Sequence, residues 1–136
     1  MSVPIEMRRA VVARARDRCE YCGLAQAGQE ATFHVDHLIP VSSGGPTELE
    51  NLGLACVSCS LRKGARTFAL DPESGLDVAL FHPRKDRWES DFEWQGVRVL
   101  GRTATGRATI GALRLNRDLI LAIRAEEAIQ GRHPPG

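Results

Sequence analysis

Two pairs of cysteines constrain this chain more than any other feature of its sequence. Cys19 and Cys22 form one pair, Cys56 and Cys59 form the other, and these four are all the cysteines of the chain. Two intervening residues let both sulfurs of one turn reach a single ion, and two such turns complete a tetrahedral four-cysteine zinc site. A redox pair or four buried thiols are alternatives, but redox motifs of this type occur singly. We therefore expect a structural Zn²⁺ that closes residues 23–55 into a loop.

Length and composition favour one small domain with an appendage. The chain has 136 residues, of which 43% are hydrophobic and 26% are charged, ordinary values for a globular protein. No apolar run approaches the ~20 residues that span a bilayer, and the N-terminal residues lack the apolar segment of a signal peptide. We expect no membrane partner and a cytoplasmic location, where cysteines serve metal binding or catalysis rather than disulfides. The oligomeric state is left open.

The apolar patterning predicts an α+β fold. A helix is expected over residues 4–18, strands over 31–38 and 51–55, and a helix that ends near Lys63 and is capped by Ser58 or Ser60. A turn at residues 71–75 suggests a boundary between residues 1–70 and an extension, 71–136, packed on them. In the extension, an apolar segment at 78–81 follows the turn. We then expect a strand over 92–100 and a helical region over 106–130 that breaks at Asn116 or Asp118.

Inside the cysteine loop, an acidic residue stands beside a histidine at the end of a predicted strand. Asp36 and His37 are consecutive, and neighbouring side chains of a strand point to opposite faces. Near a strand end, one of them can bind a metal ion while the other acts as a base. An isolated Asp-His pair is more often a turn residue beside a surface imidazole. The two flanking cysteine pairs favour the functional interpretation.

Taken together, these motifs resemble the HNH endonuclease family over about residues 5–66. The similar segments are 19–23 (CEYCG), 35–40 (VDHLIP), 44–45 (GG), 51–52 (NL) and 56–64 (CVSCSLRKG). The resemblance implies a zinc-braced ββα-metal core, in which a two-stranded hairpin and a helix hold one divalent ion. An N-terminal helix precedes this core. Residues 77–133 resemble a C-terminal strand and helix extension of some bacterial members.

The resemblance also implies roles for four residues. His37 matches the general base that activates water, and Asp36 matches a ligand of the catalytic Mg²⁺ or Mn²⁺. Asn51 matches the residue that steadies the hairpin and orients the base. Ser60 departs from the family, because it stands where relatives carry a His or Asn metal ligand.

Serine is a shorter and weaker ligand, so Ser60 either binds the ion through water or only caps the helix. Another group is then needed to complete the metal site, or activity is reduced or lost. Asp91, His82 and His34 are the candidates, and a structural role is the alternative for each. In relatives of the extension a histidine is expected at the position of Asp91.

The resemblance implies a metal-dependent endonuclease that hydrolyses DNA phosphodiester bonds, with DNA as its partner. Arg62, Lys63 and Arg66 are placed to meet phosphates, although a solvated helix end is an equal alternative. A non-catalytic zinc-containing module that binds nucleic acid or protein remains the other hypothesis, because of Ser60. A redox or zinc-storage protein is disfavoured by the presence of Asp36, His37 and Asn51.

Overall fold

A computed structural model describes residues 3–136, in which the chain forms two compact units, Met1–Ala65 and Arg66–Gly136. Each unit combines helices with short antiparallel strands. The predicted α+β class is therefore confirmed. Within the described residues, no helix is both long enough and apolar enough to cross a membrane.

The first unit contains a two-stranded hairpin followed directly by a helix. Its elements are α1 (Ile5–Arg14), β1 (His34–His37), β2 (Leu52–Ala55) and α2 (Val57–Lys63). β1 and β2 are antiparallel, with His37 opposite Leu52 and His34 opposite Ala55. Three single turns of 3-10 helix lie in the connections, at Gln26–Gly28, Val41–Ser43 and Leu49–Asn51. The order strand, strand, helix is the one expected from the resemblance.

Helix α1 is shorter than the sequence pattern predicts. It ends at Arg14 rather than near residue 18, because Arg16 and Asp17 adopt left-handed backbone conformations with φ of 54° and 57°. The chain then reverses so that Cys19 N–H donates to Leu24 O at 2.9 Å. The turn that carries the first cysteine pair therefore overrides helix propensity here. Pro4 is the residue before the first turn, where its missing N–H costs nothing.

A buried apolar core and one arginine fix α1 on the hairpin. Val11 of α1 and Leu52 and Leu54 of β2 are almost fully buried. The Arg14 guanidinium donates to Leu49 O at 2.9 Å and to Leu52 O at 2.7 Å. These charge-assisted bonds satisfy backbone carbonyls at the start of β2 and so tie the helix to the strand.

The cap of α2 differs from the prediction. Neither Ser58 nor Ser60 caps this helix, because the N-cap residue is Cys56, whose Sγ accepts from Cys59 N–H at 3.4 Å. The second cysteine turn is thus also the first turn of α2. Ser60 lies within the helix, which leaves its hydroxyl available for another partner.

The second unit is a pair of hairpins with three helices. Its elements are β3 (Phe68–Leu70), β4 (Asp77–Ala79), α3 (Trp88–Asp91), β5 (Phe92–Gln95), β6 (Arg98–Gly101), α4 (Ala104–Leu113) and α5 (Asp118–Ile129). β3 pairs with β4, and β5 pairs with β6. Ala69, Leu80 and Ala108 form one buried apolar cluster, and Phe81 meets Phe92 edge to face with ring centroids 5.3 Å apart.

The structure corrects one predicted strand of this unit, adds a strand that was not predicted, and confirms the predicted break in the helical region. The single strand expected over 92–100 is a hairpin, because Gly96, with φ of 61°, turns the chain between β5 and β6. Strand β3 was not predicted, and residues 71–75 form the turn that joins it to β4. The helical region does break in two, because the Asn116 side chain bonds to both Val99 N–H and Val99 O instead of continuing a helix.

Candidate metal centre and active site

The four cysteines come together in the interior of the first unit. All four are buried, and their sulfur atoms lie within 4.8 Å of one another. In each pair the N–H of the second cysteine points at the sulfur of the first, at 3.5 Å for Cys22 and 3.4 Å for Cys59. The two turns therefore have the same local geometry, and together they form a cluster that can hold zinc.

The electrostatics of the cluster suit a cation. Burial raises the pKa of the Cys19 thiol. Hydrogen bonds from the neighbouring thiols lower the pKa of Cys56, and the bond from Cys19 has the largest effect. Four buried sulfurs share this space, and Cys22 Sγ lies 3.7 Å from Cys56 Sγ. A divalent ion compensates the negative charge of thiolates held this close. The donor set and its burial therefore fit a structural Zn²⁺.

The first cysteine turn is fastened to the hairpin. Glu20 N–H donates to Leu54 O at 2.9 Å, and Leu54 N–H donates to a Glu20 carboxylate oxygen at 2.8 Å. β2 then leads through Ala55 into Cys56. The cysteine cluster thus fixes both the hairpin and α2, the elements that carry the other predicted site residues.

Asp36 and Ser60 come together beside His34. The Ser60 hydroxyl donates to Asp36 Oδ1 at 3.0 Å, and Ser60 Oγ lies 2.8 Å from His34 Nδ1. His34 and Asp36 are two residues apart on β1 and so share one face of the strand. The structure therefore brings together a carboxylate, a hydroxyl and an imidazole from two elements.

His37 has a different partner from its neighbour Asp36. Its Nε2 atom is hydrogen-bonded to Thr47 Oγ1 at 2.8 Å. Thr47 lies in the connection between β1 and β2. The imidazole is half-buried, and its orientation is set by this loop rather than by α2.

Asn51 holds the two ends of the β1–β2 connection together. Its Oδ1 accepts from Ile39 N–H at 2.8 Å, and its Nδ2 donates to Ile39 O at 3.0 Å and to Pro46 O at 2.9 Å. The side chain is buried, so these bonds are made away from water. Gly45 is required here, because a Cβ at this position would collide with Ile39 O.

The three predicted phosphate-binding residues lie in different environments. Arg62 is half-buried, and its Nε donates to Ser58 Oγ at 3.1 Å. Lys63 is buried, its ammonium donates to Leu38 O at 3.2 Å, and burial lowers its pKa. Arg66 is exposed, and its guanidinium contacts Ala112 O at 3.3 Å in the second unit.

The two candidate ligands in the second unit have local partners. Asp91 is buried, and its Oδ1 accepts from the Thr103 hydroxyl at 2.6 Å. His82 Nδ1 accepts from Arg84 N–H at 3.2 Å and from Lys85 N–H at 3.3 Å. Burial lowers the pKa of His82. Both side chains thus take part in the local structure of their own segments.

Sequence reasoning missed Thr47 and ranked His34 below two other candidates. The alternation of β1 places His34 on the face of Asp36, which is a signal present in the sequence. Nothing in the sequence pairs Thr47 with His37, because that contact depends on how the connection between the strands closes.

The fold and the cysteine cluster define a ββα domain with a candidate zinc centre. Residues 19–66 match the family model described as HNH endonuclease, which covers about a third of the chain. The predicted resemblance is confirmed for this segment, whose family consists generally of nucleases. The match includes both cysteine pairs, the hairpin and α2. Comparisons with curated proteins and with solved structures find no match, and the resemblance of residues 77–133 stays a prediction.

Proposed function

We propose that this protein is a metal-dependent endonuclease that hydrolyses DNA phosphodiester bonds, with His37 as the general base. One observation carries the proposal. Asp36 and His37 are consecutive at the end of β1, yet Asp36 is bonded to Ser60 of α2 and His37 to Thr47 of the loop. These separate partners support a division of tasks, with cation binding for Asp36 and proton transfer for His37.

The donor chemistry around Asp36 fits a divalent cation. A carboxylate with a neighbouring hydroxyl and imidazole offers ligands that Mg²⁺ or Mn²⁺ accepts. Asp36 would hold the ion, which supplies neutralisation of the charge on the phosphate and the leaving oxygen. A zinc ion in the cysteine cluster would stabilise the fold and would take no part in the reaction.

His37 would take the proton from the attacking water. An imidazole does this near neutral pH. Thr47 occupies one ring nitrogen, and the other nitrogen is the one that receives the proton. Asn51 stabilises the backbone next to His37. It makes two hydrogen bonds to Ile39, two residues after His37, and a third to Pro46 O.

The test of the base is cleavage of a supercoiled plasmid with Mg²⁺, Mn²⁺ or a chelator. His37→Ala is expected to lower the cleavage rate by on the order of 10²-fold or more, with zinc content and thermal unfolding unchanged. His133→Ala is the matched control, because that ring contacts Gly96 O and Trp94 in the second unit. Equal cleavage by His37→Ala and the wild type would contradict the assignment of the base.

Phosphate contact is tested by the salt dependence of DNA affinity. If Arg62 and Arg66 meet phosphates, each alanine variant should make the log–log slope shallower by about one unit. For Lys63→Ala we expect mainly a lower free energy of unfolding, because its buried ammonium supports Leu38 O. A shallower slope for Lys63→Ala would instead show that Lys63 contacts phosphate. An unchanged slope in the double variant Arg62→Ala with Arg66→Ala would show that DNA binds elsewhere on the protein.

The second candidate function is a non-catalytic zinc module that binds nucleic acid or protein. Ser60 favours it, because this residue occupies the third named position of the family. Absence of cleavage with every divalent ion, in both the wild type and Ser60→Asn, would select this alternative.

A further inference from the structure

The face of β1 that carries Asp36 holds one more group able to bind a metal ion. His34 and Asp36 are separated by one residue, so both side chains lie on this face. Ser60 of α2 contacts both, at 2.8 Å from His34 Nδ1 and 3.0 Å from Asp36 Oδ1. His34 is exposed, so it can be reached from solvent.

The hydrogen bonds show which ring nitrogen of His34 faces Ser60 and Asp36. A serine hydroxyl has a single proton, and Ser60 donates it to the Asp36 carboxylate. Ser60 Oγ must therefore accept from His34 Nδ1–H. The same ring nitrogen is therefore the one that can share an ion with Asp36. Nδ1 becomes a metal-binding atom in the other neutral tautomer, in which the proton is on Nε2.

We propose that His34 is a ligand of the catalytic cation and replaces the donor that Ser60 does not supply, an inference that rests on the nuclease function proposed above. The site then consists of the Asp36 carboxylate and His34 Nδ1, and the Ser60 oxygen lies within 3.0 Å of both. Asp36 and His34 belong to one short strand, and β2 pairs with both positions, so their spacing is fixed by the backbone.

This ligand pair changes the preferred metal. Mg²⁺ favours oxygen ligands, whereas an imidazole nitrogen suits first-row transition ions. We therefore expect the site to bind Mn²⁺ more tightly than Mg²⁺. The substitution at position 60 and the histidine at position 34 together would make this protein a manganese-preferring member of its class.

The experiment uses the full, zinc-loaded chain and Mn²⁺ alone, without DNA. Electron paramagnetic resonance measures free Mn²⁺ during a titration, and pulsed measurements detect an imidazole nitrogen bound to the ion. The wild type should show that nitrogen. His34→Ala should lose it and bind Mn²⁺ roughly tenfold or more weakly, whereas His133→Ala should behave as the wild type does. Unchanged zinc content shows that each variant folds.

A double variant sharpens the test. Adding Ser60→Asn to His34→Ala supplies an amide oxygen at the position where the family has a ligand, so Mn²⁺ affinity should recover without the imidazole signal. The role of His34 would be overturned if the wild type bound Mn²⁺ without a nitrogen signal and His34→Ala bound it with the same affinity. Cleavage that persists in that case would leave the proposed nuclease function intact. If the wild type bound no Mn²⁺ or Mg²⁺ and cut no plasmid, both proposals would fail.

Discussion

At the scale of single residues, partners from distant parts of the chain give two neighbours different surroundings. Asp36 is bonded to Ser60 of α2, and His37 is bonded to Thr47 of the loop between the strands. Thr47 lies outside the segments that carry the family resemblance, and Ser60 departs from the family at its position. The motif alone therefore does not identify the groups that orient its own side chains.

Thr47 is predicted to be a positioning residue for His37. Thr47→Val keeps the shape of the side chain but removes the oxygen that contacts Nε2 at 2.8 Å. We expect the single-turnover cleavage rate to fall on the order of tenfold, less than on loss of the base itself, with DNA affinity and thermal unfolding unchanged. Thr47→Ser keeps the hydroxyl and should retain most of the rate. Equal rates for the valine and serine variants would show that the hydroxyl does not orient His37.

At the scale of elements, one buried carboxylate joins the β3–β4 turn to α4. Asp71 accepts from Arg107 Nε at 3.0 Å and from a second guanidinium nitrogen of Arg107 at 3.0 Å. It also accepts from the N–H groups of Glu73 and Ser74, at 3.1 and 3.2 Å. These four bonds favour the ionised carboxylate, and the Arg107 contact first of all holds the pKa of Asp71 well below its usual range.

The second unit should therefore lose stability in acid through Asp71. The unfolded carboxyl has a pKa of about 3.9, and the folded pKa is lower, so the stabilisation is complete above the unfolded value and declines as the pH falls below it. In urea unfolding at pH values from about 6 to about 2, Asp71→Asn should show a weaker decline than the wild type. Asp77→Asn, at an exposed position of the same hairpin, is the control and should follow the wild type. Parallel curves for Asp71→Asn and the wild type would contradict the assignment.

At the scale of the whole molecule, the two units carry different spectroscopic probes and different sources of stability. The single tyrosine, Tyr21, is buried in the first cysteine turn, whereas Trp88 and Trp94 lie in the second unit. The first unit contains the cysteine cluster. The second unit relies on its own apolar and aromatic contacts, including the stacked Trp88 and Trp94 rings with centroids 5.0 Å apart.

Zinc removal is expected to unfold the first unit selectively. The purified protein should contain about one zinc ion per chain, since four cysteines complete one tetrahedral site. Binding energy at such a site is largely folding energy, so a strong chelator, or Cys56→Ser, should raise hydrogen exchange throughout residues 3–65. Peptides from residues 66–136 should keep their protection, and added Zn²⁺ should reverse the effect of the chelator. A metal-free protein with an unchanged exchange pattern would refute the zinc site.

Features that depend on spacing within a few residues could be predicted from the sequence. The two-residue gap in each cysteine pair predicts a turn that presents both sulfurs, and the alternation of β1 puts His34 and Asp36 on one face with His37 on the other. The groups that contact these side chains could be identified only from the folded structure. Ser60 reaches His34 across 26 positions and Thr47 reaches His37 across 10, while Lys63 turns inward to Leu38 O. Such contacts depend on how the loop closes around the cysteine cluster. Loop closure follows from the packing of elements that are far apart in the chain, so no local sequence pattern encodes it.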